Sequence, residues 1–475
     1  MKKILVTGCF NVIHPGHLRL LRFAHQISAR LVVGVESDRI AGNKAHVQER
    51  LRLEGVQCLG WVSEAFIYDE PVKDLILRLK PDIMVKGKEH EDGFNPELQF
   101  LQSYGGILIF SSGESGLSSI DLIRKEFAST DKIMWEKQEE FTLRHNLSRE
   151  RLTDIIHQFS NISVCSIGDI IVDEYISCRA LGMSQEDPTL VVTPLDSNKF
   201  LGGAGIVAAH AAGLGARSHF LSVAGDDAAG MFALSQLGLI GVRHEIMIDG
   251  ERPTTLKQRY RSQSKTLLRV SRLQHRAISK HLQNSIFERF EALAPAINLL
   301  VFSDFNYGCL PQSLVDRIVK ICQLNGIKMV ADSQSSSQTG NIGRFNGMHL
   351  LTPTEHEARV STRNHDDGLV VLARNLTTYS ASENILLKLG DEGVLVYTAQ
   401  SPSGEWTTDR ISPMNRSPKD VSGAGDSLLI TSAMVLACGG NIWEAAYLGS
   451  VAAAVQVSRV GNIPLHQDEI IGVLG

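Results

Sequence analysis

Two histidines and a glycine near the start of the sequence have the types and spacing that phosphate chemistry needs. His14, Gly16 and His17 lie in the segment Gly8–His17 (GCFNVIHPGH), directly after a short β-branched run. A glycine lets a phosphate approach the backbone closely, and the free N–H groups of a starting helix attract an anion. Two imidazoles on one helix face can donate hydrogen bonds to a phosphoryl group as its charge builds. The segment predicts a phosphate-handling turn; two unremarkable histidines at a helix start are the alternative.

A second segment combines glycines with a carboxylate. Asp420–Asp426 (DVSGAGD) precedes an apolar helical run over Ser427–Cys438. Backbone N–H groups of Gly423–Gly425 at a helix start would point at a phosphate. Asp426, just inside that helix, could take the proton of a sugar hydroxyl as it attacks a γ-phosphate. The Gly-Lys-Ser/Thr of a Walker A loop is missing, so the segment predicts a phosphoryl-transfer site of another type.

The elements that would position the histidine segment form a βαβ unit. Runs typical of buried strands cover 3–7 and 31–35, with a helical pattern between them over 16–29. Such a unit predicts a parallel sheet with a right-handed crossover. Further strands are expected at 83–85 and 107–110. Ligands bind at the carboxyl ends of such strands, which is where the histidine segment lies.

A second α/β pattern starts at residue 162 and runs to the end of the sequence. Its strand candidates lie at 220–223, 299–302, 328–331, 385–388 and 393–397. Two segments, 186–200 and 246–272, alternate polar and apolar residues as half-exposed antiparallel strands do. These features predict a second, larger α/β domain with a small additional β layer.

The stretch between the two patterns is charged, mostly helical in propensity and free of strand signals. We therefore expect a first domain over 1–130, a connecting helix or linker over 131–150 and a second domain over 151–475. The expected fold class is α/β with two domains.

Composition argues against several other classes of protein. The 475 residues are 43% hydrophobic and 21% charged, and a net charge of −5 does not predict a chain-wide nucleic-acid or membrane surface. The longest apolar run, 428–438, is interrupted by Thr431 and Ser432, so we expect no transmembrane helix. The apolar run after Lys3 is too short for a signal peptide. Seven cysteines without CxxC spacing predict reduced thiols. We expect a cytoplasmic enzyme.

The segment Gly8–His17 resembles the GxFDxxHxGH signature of the cytidylyltransferase-like nucleotidyltransferases, and the resemblance covers about residues 1–127. It implies a Rossmann-like domain in which His14 and His17 stabilise the α-phosphate during in-line attack by a sugar phosphate, with pyrophosphate leaving. Asn11 stands where the family usually has Asp. The implied nucleotide- and phosphate-binding residues are Gly8, Phe10, Asn11, Gly16, Lys44, Arg50, Lys86, Gly87, Ser118 and Ser119. For Lys44 and Lys86, solvated surface charge is the alternative.

Three further segments accompany the glycine-rich turn of the second half. Gly202–Gly205 (GGAG) opens a helical stretch, Gly168–Asp169 follows the first strand, and 389–393 (LGDEG) joins two strand candidates. Together with Asp420–Asp426 they resemble the ribokinase/PfkB sugar kinases over about residues 160–473. The implied phosphate-binding residues are Gly390, Gly393, Ser422, Gly423, Ala424 and Gly425. The implied sugar-binding residues are Asp169, Asp173, Gly202, Gly203 and Asp304.

The resemblance to sugar kinases also implies roles for individual residues and the cofactors of the reaction. It implies ATP as the phosphoryl donor, Asp426 as the base and Glu357 as a residue that helps to organise Mg²⁺. The segments 186–200 and 246–272 would form a lid that closes over the sugar and through which a homodimer is expected.

The lid segment also holds a group of basic residues: Lys257, Arg259, Arg261 and Arg269. In a strand, 257, 259 and 261 project to one face. Cations on one face can clamp a phosphate, which makes Lys257 and Arg259 candidates for binding a phosphorylated sugar. A charged edge strand, protected by its charges from aggregation, is the alternative.

Together the halves resemble the bifunctional heptose 7-phosphate kinase/heptose 1-phosphate adenylyltransferases, with the domain order reversed from the usual kinase-first arrangement. This implies ATP-dependent phosphorylation of heptose 7-phosphate at C1, and coupling of heptose 1-phosphate to AMP from ATP to make ADP-heptose. A separate phosphatase would act between the two steps, and no nucleic-acid or membrane partner is expected.

Two other functions stay open from the sequence. One is a kinase/cytidylyltransferase for another sugar or polyol phosphate. The other is a nucleotide- or sugar-phosphate-binding regulator that has lost its chemistry, because Asn11, Ile206 and Thr354 depart from the family patterns.

Overall fold

The computed structural model describes residues 2–13, 15–27, 30–87, 95–110, 138–184, 186–262, 265–335, 340–399 and 407–474. It divides the chain into two compact units, Met1–Lys132 and Ile133–Gly475. The candidate residues His14, Ser118 and Ser119 lie outside the described residues.

The first unit holds a parallel five-stranded sheet. Its strands are β1 (Lys3–Gly8), β2 (Arg30–Glu36), β3 (Glu64–Tyr68), β4 (Ile83–Lys86) and β5 (Ile107–Phe110). Its helices are α1 (Pro15–Ile27), α2 (Asp38–Ala41), α3 (Glu49–Gln57), α4 (Val72–Leu79) and α5 (Glu97–Gln102). The strand order is β3-β2-β1-β4-β5. The order therefore reverses between β1 and β4, which makes the crevice at their carboxyl ends the expected ligand site.

Both faces of this sheet are covered, which explains the nearly continuous apolar composition of its strands. Ile4 and Val6 of β1 belong to one buried apolar cluster, whereas Leu5 belongs to a cluster on the other side. The strand β3 was not expected from the sequence, because its residues (EAFIY) are only partly buried.

The second unit contains two sheets. Its strands are β6 (Ser163–Gly168), β7 (Ile170–Met183), β8 (Leu190–Gly203), β9 (Arg217–Ala224), β10 (Arg243–Ile248), β11 (Thr255–Ser262), β12 (Lys265–Arg272), β13 (Leu299–Asp304), β14 (Lys328–Ser333), β15 (Leu350–Leu351), β16 (Asn384–Lys388), β17 (Val394–Thr398) and β18 (Thr408–Ile411). The central sheet has the order β10-β9-β6-β13-β14-β15-β16-β17-β18, parallel from β10 to β16 and antiparallel beyond.

Helices cover the central sheet on both faces. They are α6 (Glu139–Arg144), α7 (Arg149–Gln158), α8 (Ala204–Gly213), α9 (Ala228–Ile240), α10 (Lys280–Leu293), α11 (Gln312–Asn325), α12 (Glu355–Thr362), α13 (Leu369–Ser380), α14 (Ala424–Ala437), α15 (Ile442–Val457) and α16 (Gln467–Leu474). One buried cluster joins the sheet to α7, α8, α14 and α15, and a second joins it to α10, α11 and α13.

The second sheet is a four-stranded lid of order β12-β11-β7-β8. It confirms a strand within 186–200 but corrects the expectation for 246–272, because residues 246–248 belong to β10 and pair with β9 in the central sheet. An edge strand of either sheet has the same alternation of polar and apolar residues, so the pattern does not show which sheet the strand joins. The long strand β7 was missed as a lid strand because its first half is buried.

Part of the expected linker over 131–150 makes contacts inside the second unit. Phe141 is buried in the core of the second unit, and the guanidinium of Arg144 forms an ion pair with Asp409 at 2.9 Å. The imidazole of His145 stacks on Trp443 with ring centroids 3.9 Å apart. Residues 138–150 are therefore part of the second unit.

All seven cysteines are free, as expected for reduced thiols. Among the described helices, none is long and apolar enough to cross a membrane.

Candidate active sites

A cavity of about 1140 Å³ in the second unit brings most of the predicted kinase residues together. The predicted residues among its lining are Asp173, Gly203, Lys257, Arg259, Glu357, Gly390, Gly393, Ser422, Gly423, Ala424, Gly425 and Asp426. They come from the lid, from the start of α12, from the turn between β16 and β17, and from the start of α14. Segments far apart in the sequence thus converge on one site.

The glycine-rich turn forms the N-terminal end of α14. Gly423 caps this helix with a φ of +76°, and a β-carbon there would lie 2.5 Å from the side-chain oxygen of Asn462. Only glycine combines that backbone conformation with such a close approach. Gly425 follows within the first turn. The free N–H groups of this turn face the cavity as an anion-binding end.

Asp420 stabilises the same turn through hydrogen bonds. Its carboxylate accepts hydrogen bonds from the hydroxyl of Tyr175 at 2.7 Å and from the backbone N–H groups of Ser422 and Gly461 at 3.1 Å. These bonds hold the pKa of Asp420 below its usual value, although burial alone would raise it. Because Tyr175 lies on β7, the bond also ties the lid to the anion-binding turn.

Asp426 is the buried carboxylate of the site, with 6% of its surface exposed. Burial, and then the charge of Asp332, raise the pKa of Asp426 to about 7, while the ammonium groups of Lys388 and Lys257 oppose this rise. One carboxylate oxygen has no hydrogen-bond partner within the described part of the protein. A carboxyl group that titrates near neutral pH is suited to accept a proton from a substrate hydroxyl.

A lysine that the sequence reasoning missed lies beside this carboxylate. The ammonium of Lys388 contacts both carboxylate oxygens of Asp332, at 2.9 and 3.1 Å. Burial opposes its charge, but the ion pair outweighs burial and raises the pKa of Lys388. Lys388 also lines the cavity next to Gly425, so it supplies a fixed positive charge at the anion-binding turn. A lone lysine at a strand end carries no sequence signal for this role.

Three lid cations make different contacts, and two of them, Lys257 and Arg259, line the cavity. Arg259 forms an ion pair with Asp173, and Arg261 lies over the ring of Tyr175 at 5.2 Å. Lys257 faces two aromatic rings of the loop after β13. Gly202 leaves space for Asp173, because a β-carbon at this position would collide with its carboxylate. Arg269 is exposed on β12 and does not share this arrangement.

Three predicted sugar-binding residues do not line the cavity: Gly202, which leaves space for Asp173, and the two carboxylates Asp169 and Asp304. Asp169 accepts three backbone N–H groups of the loop after β13. Asp304 accepts hydrogen bonds from Ser333 and Arg344, both at 2.8 Å. In the structure their carboxylates are occupied by this loop and its neighbours. Acidic side chains at strand ends look alike in sequence whether they face a cavity or a backbone loop.

Glu357 lines the cavity at the start of α12. One oxygen accepts the N–H of Thr354 at 2.7 Å in a capping box, and the other accepts the N–H of Ser335 at 3.0 Å. Each oxygen keeps a second lone pair. No group of three or more His, Cys, Asp or Glu side chains that could hold a metal occurs among the described residues. This arrangement fits Mg²⁺ held mainly by phosphates and water, with few protein ligands.

In the first unit, the predicted turn follows β1 at the crevice beside β4. Phe10 adopts a φ of +52°, and its buried ring lies 5.0 Å from the imidazole of His17. The imidazole Nδ1 of His17 is 3.1 Å from the carbonyl oxygen of Val12. Because a carbonyl oxygen can only accept, Nδ1 is the donor in this contact. Gly8 packs against Phe10, and Gly16 lies in the first turn of α1.

The side chain of Asn11 explains a departure from the family pattern. Its amide nitrogen donates to the carbonyl of Lys44, and its oxygen accepts the N–H of His46 at 2.9 Å. A carboxylate could accept the second bond but could not donate the first. Asn11 therefore holds the loop after α2 against the turn.

The predicted cations of the first unit differ in their surroundings. Lys44 and Arg50 are exposed near the turn, whereas Lys86 contacts Glu97 at 3.1 Å and Asn95 at 2.9 Å. Lys86 ends β4 beside buried Gly87, at the same crevice as β1. A solvated surface lysine would have an exposed ammonium, whereas the ammonium of Lys86 is held in an ion pair with Glu97.

Sequence reasoning missed Arg52, which is buried beneath the turn. Its guanidinium donates to the carbonyl groups of Cys9 and Val47, at 2.6 and 2.7 Å, and pairs with Asp38 at 2.7 Å. Its position two residues after Arg50 on a short helix gave no signal that it points inward.

A lid sheet, an anion-binding helix end and a buried carboxylate in one cavity define a phosphotransferase of the sugar-kinase class. Residues 161–468 match the model of the pfkB family carbohydrate kinases, and the chain belongs to this family. Residues 5–133 match the cytidylyltransferase-like family model, in agreement with the resemblance of the first unit.

Relatives whose names call them bifunctional are similar to the chain. Bifunctional protein HldE of Desulfatibacillum aliphaticivorans is 30% identical over 327 residues, which cover 67% of this chain and 65% of that protein. Bifunctional protein HldE of Paramagnetospirillum magneticum is 28% identical over 327 residues, covering 68% of this chain and 65% of the relative. The matches thus span about 65% of the length of these relatives.

Solved structures confirm the ribokinase-like fold. Phosphofructokinase-2 from Escherichia coli, in complex with substrates and products, has a TM-score of 0.54 at 15% identity, over 66% of this chain and 98% of that chain. Ribokinase from Arabidopsis thaliana, complexed with ribose and ATP, has a TM-score of 0.51 at 18% identity, over the same shares.

Proposed function

We propose that the chain is a bifunctional enzyme that makes a nucleotide-activated sugar, with heptose 7-phosphate as the acceptor of its kinase and heptose 1-phosphate as the substrate of its nucleotidyltransferase. The observation that carries the kinase assignment is Asp426, a buried carboxylate with a pKa of about 7 at the anion-binding turn. The names of the two HldE relatives support the pairing of the activities.

In the kinase site, Asp426 takes the proton from the C1 hydroxyl of the sugar. The hydroxyl oxygen then attacks the γ-phosphorus of ATP, and the bond from that phosphorus to the bridging oxygen breaks to leave ADP. The N–H groups of Gly423–Gly425 and the ammonium of Lys388 stabilise negative charge on the transferred phosphoryl group. The products are a sugar 1,7-bisphosphate and ADP.

The acceptor lies under the lid, where carboxylates and cations alternate. Asp173 accepts hydrogen bonds from sugar hydroxyl groups while the ion pair with Arg259 keeps its carboxylate oriented. Lys257 faces the phosphate of the acceptor. Two cations close to a carboxylate suit a substrate that carries both hydroxyl groups and a dianionic tail.

In the first unit, a phosphate oxygen of the sugar 1-phosphate attacks the α-phosphorus of ATP, and pyrophosphate leaves. His14 and His17 donate hydrogen bonds to the α-phosphate oxygens as charge builds there. Gly8, Phe10, Gly16, Arg50, Gly87, Ser118 and Ser119 complete the proposed nucleotide site, together with Asn11, Lys44 and Lys86. The product is an ADP-sugar.

Mg²⁺ is the proposed metal in the kinase half. When bound, it neutralises phosphate charge and orients the β- and γ-phosphates. Glu357 is the residue that would hold it, through the lone pairs that its backbone contacts leave available. Lys388 and the anion-binding turn act on the phosphates independently of the metal.

Two partners follow from the proposal. The first is a separate phosphatase, because the kinase product carries two phosphates and the coupling step needs the 1-phosphate alone. The second is another copy of the chain at the lid. Support for a lid-mediated homodimer comes from exposed apolar side chains on its strands, which are Leu181, Met183, Leu190, Leu195 and Leu268. Light scattering of the full chain tests this assembly.

Substrate identity is tested by incubating the full chain with candidate sugar phosphates and each nucleoside triphosphate, with mass spectrometry as the readout. We expect a bisphosphate from heptose 7-phosphate with ATP, and ADP-heptose from heptose 1-phosphate with ATP. A product with CTP alone would favour the kinase/cytidylyltransferase alternative. Binding of ATP and sugar phosphate without turnover at either site would favour the regulator.

A further inference from the structure

Asp169 holds a loop that carries two aromatic rings, and one of them, Phe305, lines the kinase cavity. One of its carboxylate oxygens accepts the N–H of Phe305 at 2.9 Å and of Tyr307 at 3.2 Å, and the other accepts the N–H of Cys309 at 3.0 Å. The side chain is buried and lies outside the cavity lining. Three bonds from one carboxylate fix the backbone from which the two rings project.

These two rings form a surface for a cation. Their centroids are 6.3 Å apart and their planes differ by 26°, so the two rings are close to parallel. The ammonium of Lys257 is 5.1 Å from the centroid of Phe305 and 5.2 Å from that of Tyr307. A cation at this distance is attracted by the negative face of each ring. Lys257 and Phe305 both line the cavity.

The neighbouring lid cations have different partners, and both lie 5.2 Å from the ring centroid of Tyr175. Arg259 forms an ion pair with Asp173, and Arg261 lies over Tyr175. Lys257 has no ion-pair partner among the residues that the structure describes. A lysine side chain is flexible along its four-carbon stem, so a defined ammonium position needs an external constraint. The ring pair is the constraint that the structure provides.

We propose that Asp169 is a positioning residue that acts through the ring pair of Phe305 and Tyr307, which holds the ammonium of Lys257 where it binds the acceptor phosphate. The inference rests on the proposed function for the identity of the acceptor. Asp169 itself contacts no substrate. The same loop is also held by Arg252, which donates to the carbonyl of Tyr307 at 3.1 Å. Loss of the Asp169 bonds therefore shifts the rings without unfolding the loop.

A double-mutant cycle in the full chain tests this coupling through the KM for heptose 7-phosphate. Lys257→Met should raise this KM at least about tenfold because a charge-assisted phosphate contact is lost, with the KM for ATP unchanged. Phe305→Leu keeps an apolar side chain but removes one ring face, and should raise the KM about threefold. In the Lys257→Met background, Phe305→Leu should have no further effect.

Asp169→Asn extends the cycle. It replaces one accepting oxygen by a donor that opposes the backbone N–H groups, so we expect a rise in the same KM that again disappears in the Lys257→Met background. Lys257→Arg should restore part of the affinity, since a guanidinium also stacks on aromatic faces. Lys265→Met, on the exposed strand β12, is the matched control and should leave the KM unchanged.

Two results would overturn the inference in distinguishable ways. If Phe305→Leu and Asp169→Asn raise the KM equally with and without Lys257, the loop acts independently of the lysine and the positioning role is wrong. If Lys257→Met itself leaves the KM unchanged, the lysine does not bind the acceptor phosphate, and that part of the proposed function fails as well. Should Asp169→Asn not fold, the Phe305 cycle decides alone.

Discussion

The two sites handle phosphates with different side chains. The kinase cavity surrounds its glycine-rich turn with buried charges, among them Asp426, Asp332 and Lys388. The turn of the first unit has an imidazole, His17, and an amide, Asn11, while its buried arginine, Arg52, holds backbone carbonyl groups rather than facing a ligand.

The difference follows from the nucleophile in each proposed reaction. A sugar hydroxyl is neutral and must lose a proton as it attacks, so the kinase site needs a base whose pKa lies near the working pH. A sugar 1-phosphate is already an anion. Its site needs donors that stabilise charge on the phosphoryl group under attack, and no base. The buried carboxylate of Asp426 in the second unit matches the first demand. The turn over Gly8–His17 in the first unit contains no Asp or Glu, which matches the second.

The largest effect that separates the two sites is expected from Asp426→Asn. Loss of a general base typically lowers the rate about 10²- to 10⁴-fold, and the amide is nearly isosteric, so folding should survive. Kinase turnover should fall by this factor while nucleotide coupling stays unchanged, as measured by parallel assays of both products. A variant that phosphorylates at a near-normal rate would remove Asp426 from the mechanism.

His17→Ala, or His14→Ala, should produce the opposite pattern. Donors at a developing phosphoryl charge contribute about 2.7–4 kcal/mol by analogy with oxyanion-hole donors, so coupling should fall about 10²- to 10³-fold. The kinase rate serves as the internal control and should not change. A rise in KM with an unchanged maximal rate would instead show that the histidine only positions the substrate.

Separation of the units sharpens the comparison further. Chains of 1–130 and 138–475 should each fold and keep one activity. A chain that starts at residue 145 loses Phe141 from the core and the ion pair of Arg144, and should be about 3–5 kcal/mol less stable than 138–475. Urea unfolding of the two longer chains measures this gap. Equal midpoints would show that the segment is dispensable.

The pH dependence should also distinguish the two sites. Asp426 must be ionised to act as a base, and its pKa is raised to about 7 by burial. Below pH 7 the kcat/KM of the kinase should therefore fall about tenfold per pH unit, whereas coupling, which uses no carboxylate base, should not follow this profile. A kinase profile that stays flat down to pH 5 would contradict the assignment.

The smallest effect is expected from Asn11→Asp, which restores the usual family residue. The carboxylate would face the carbonyl of Lys44 without a proton to donate. We expect coupling to fall about five- to tenfold through loss of one hydrogen bond, with the kinase unaffected. Faster coupling would show instead that the charge matters more than the contact with the loop.

The sequence predicts features that short segments determine alone. The βαβ unit, the glycine-rich turn and the position of Asp426 depend on local spacing, and all agree with the structure. Contacts between distant segments were not predictable in this way. Tyr175 reaches Asp420 across 245 residues, and Lys388 reaches Asp332 across 56.

The remaining differences between the predicted and the observed surroundings of side chains concern buried polar residues. Asp169 and Asp304 follow strands, as ligand-binding residues do, but their partners are backbone N–H groups and side chains that only the folded loop brings near. Arginine is usually a surface residue, but Arg52 is buried, where its guanidinium donates to the backbone carbonyl of Cys9. Pairwise satisfaction of buried polar groups cannot be read from spacing.

The central claim is that one chain performs two phosphate chemistries on ATP. The most direct measurement uses ATP labelled at the α-phosphorus with one phosphorus isotope and at the γ-phosphorus with another, in the presence of heptose 7-phosphate and heptose 1-phosphate. The account predicts that the γ-label appears in a heptose bisphosphate and that the α-label appears in ADP-heptose. Appearance of only one labelled sugar product, or of neither, would contradict it.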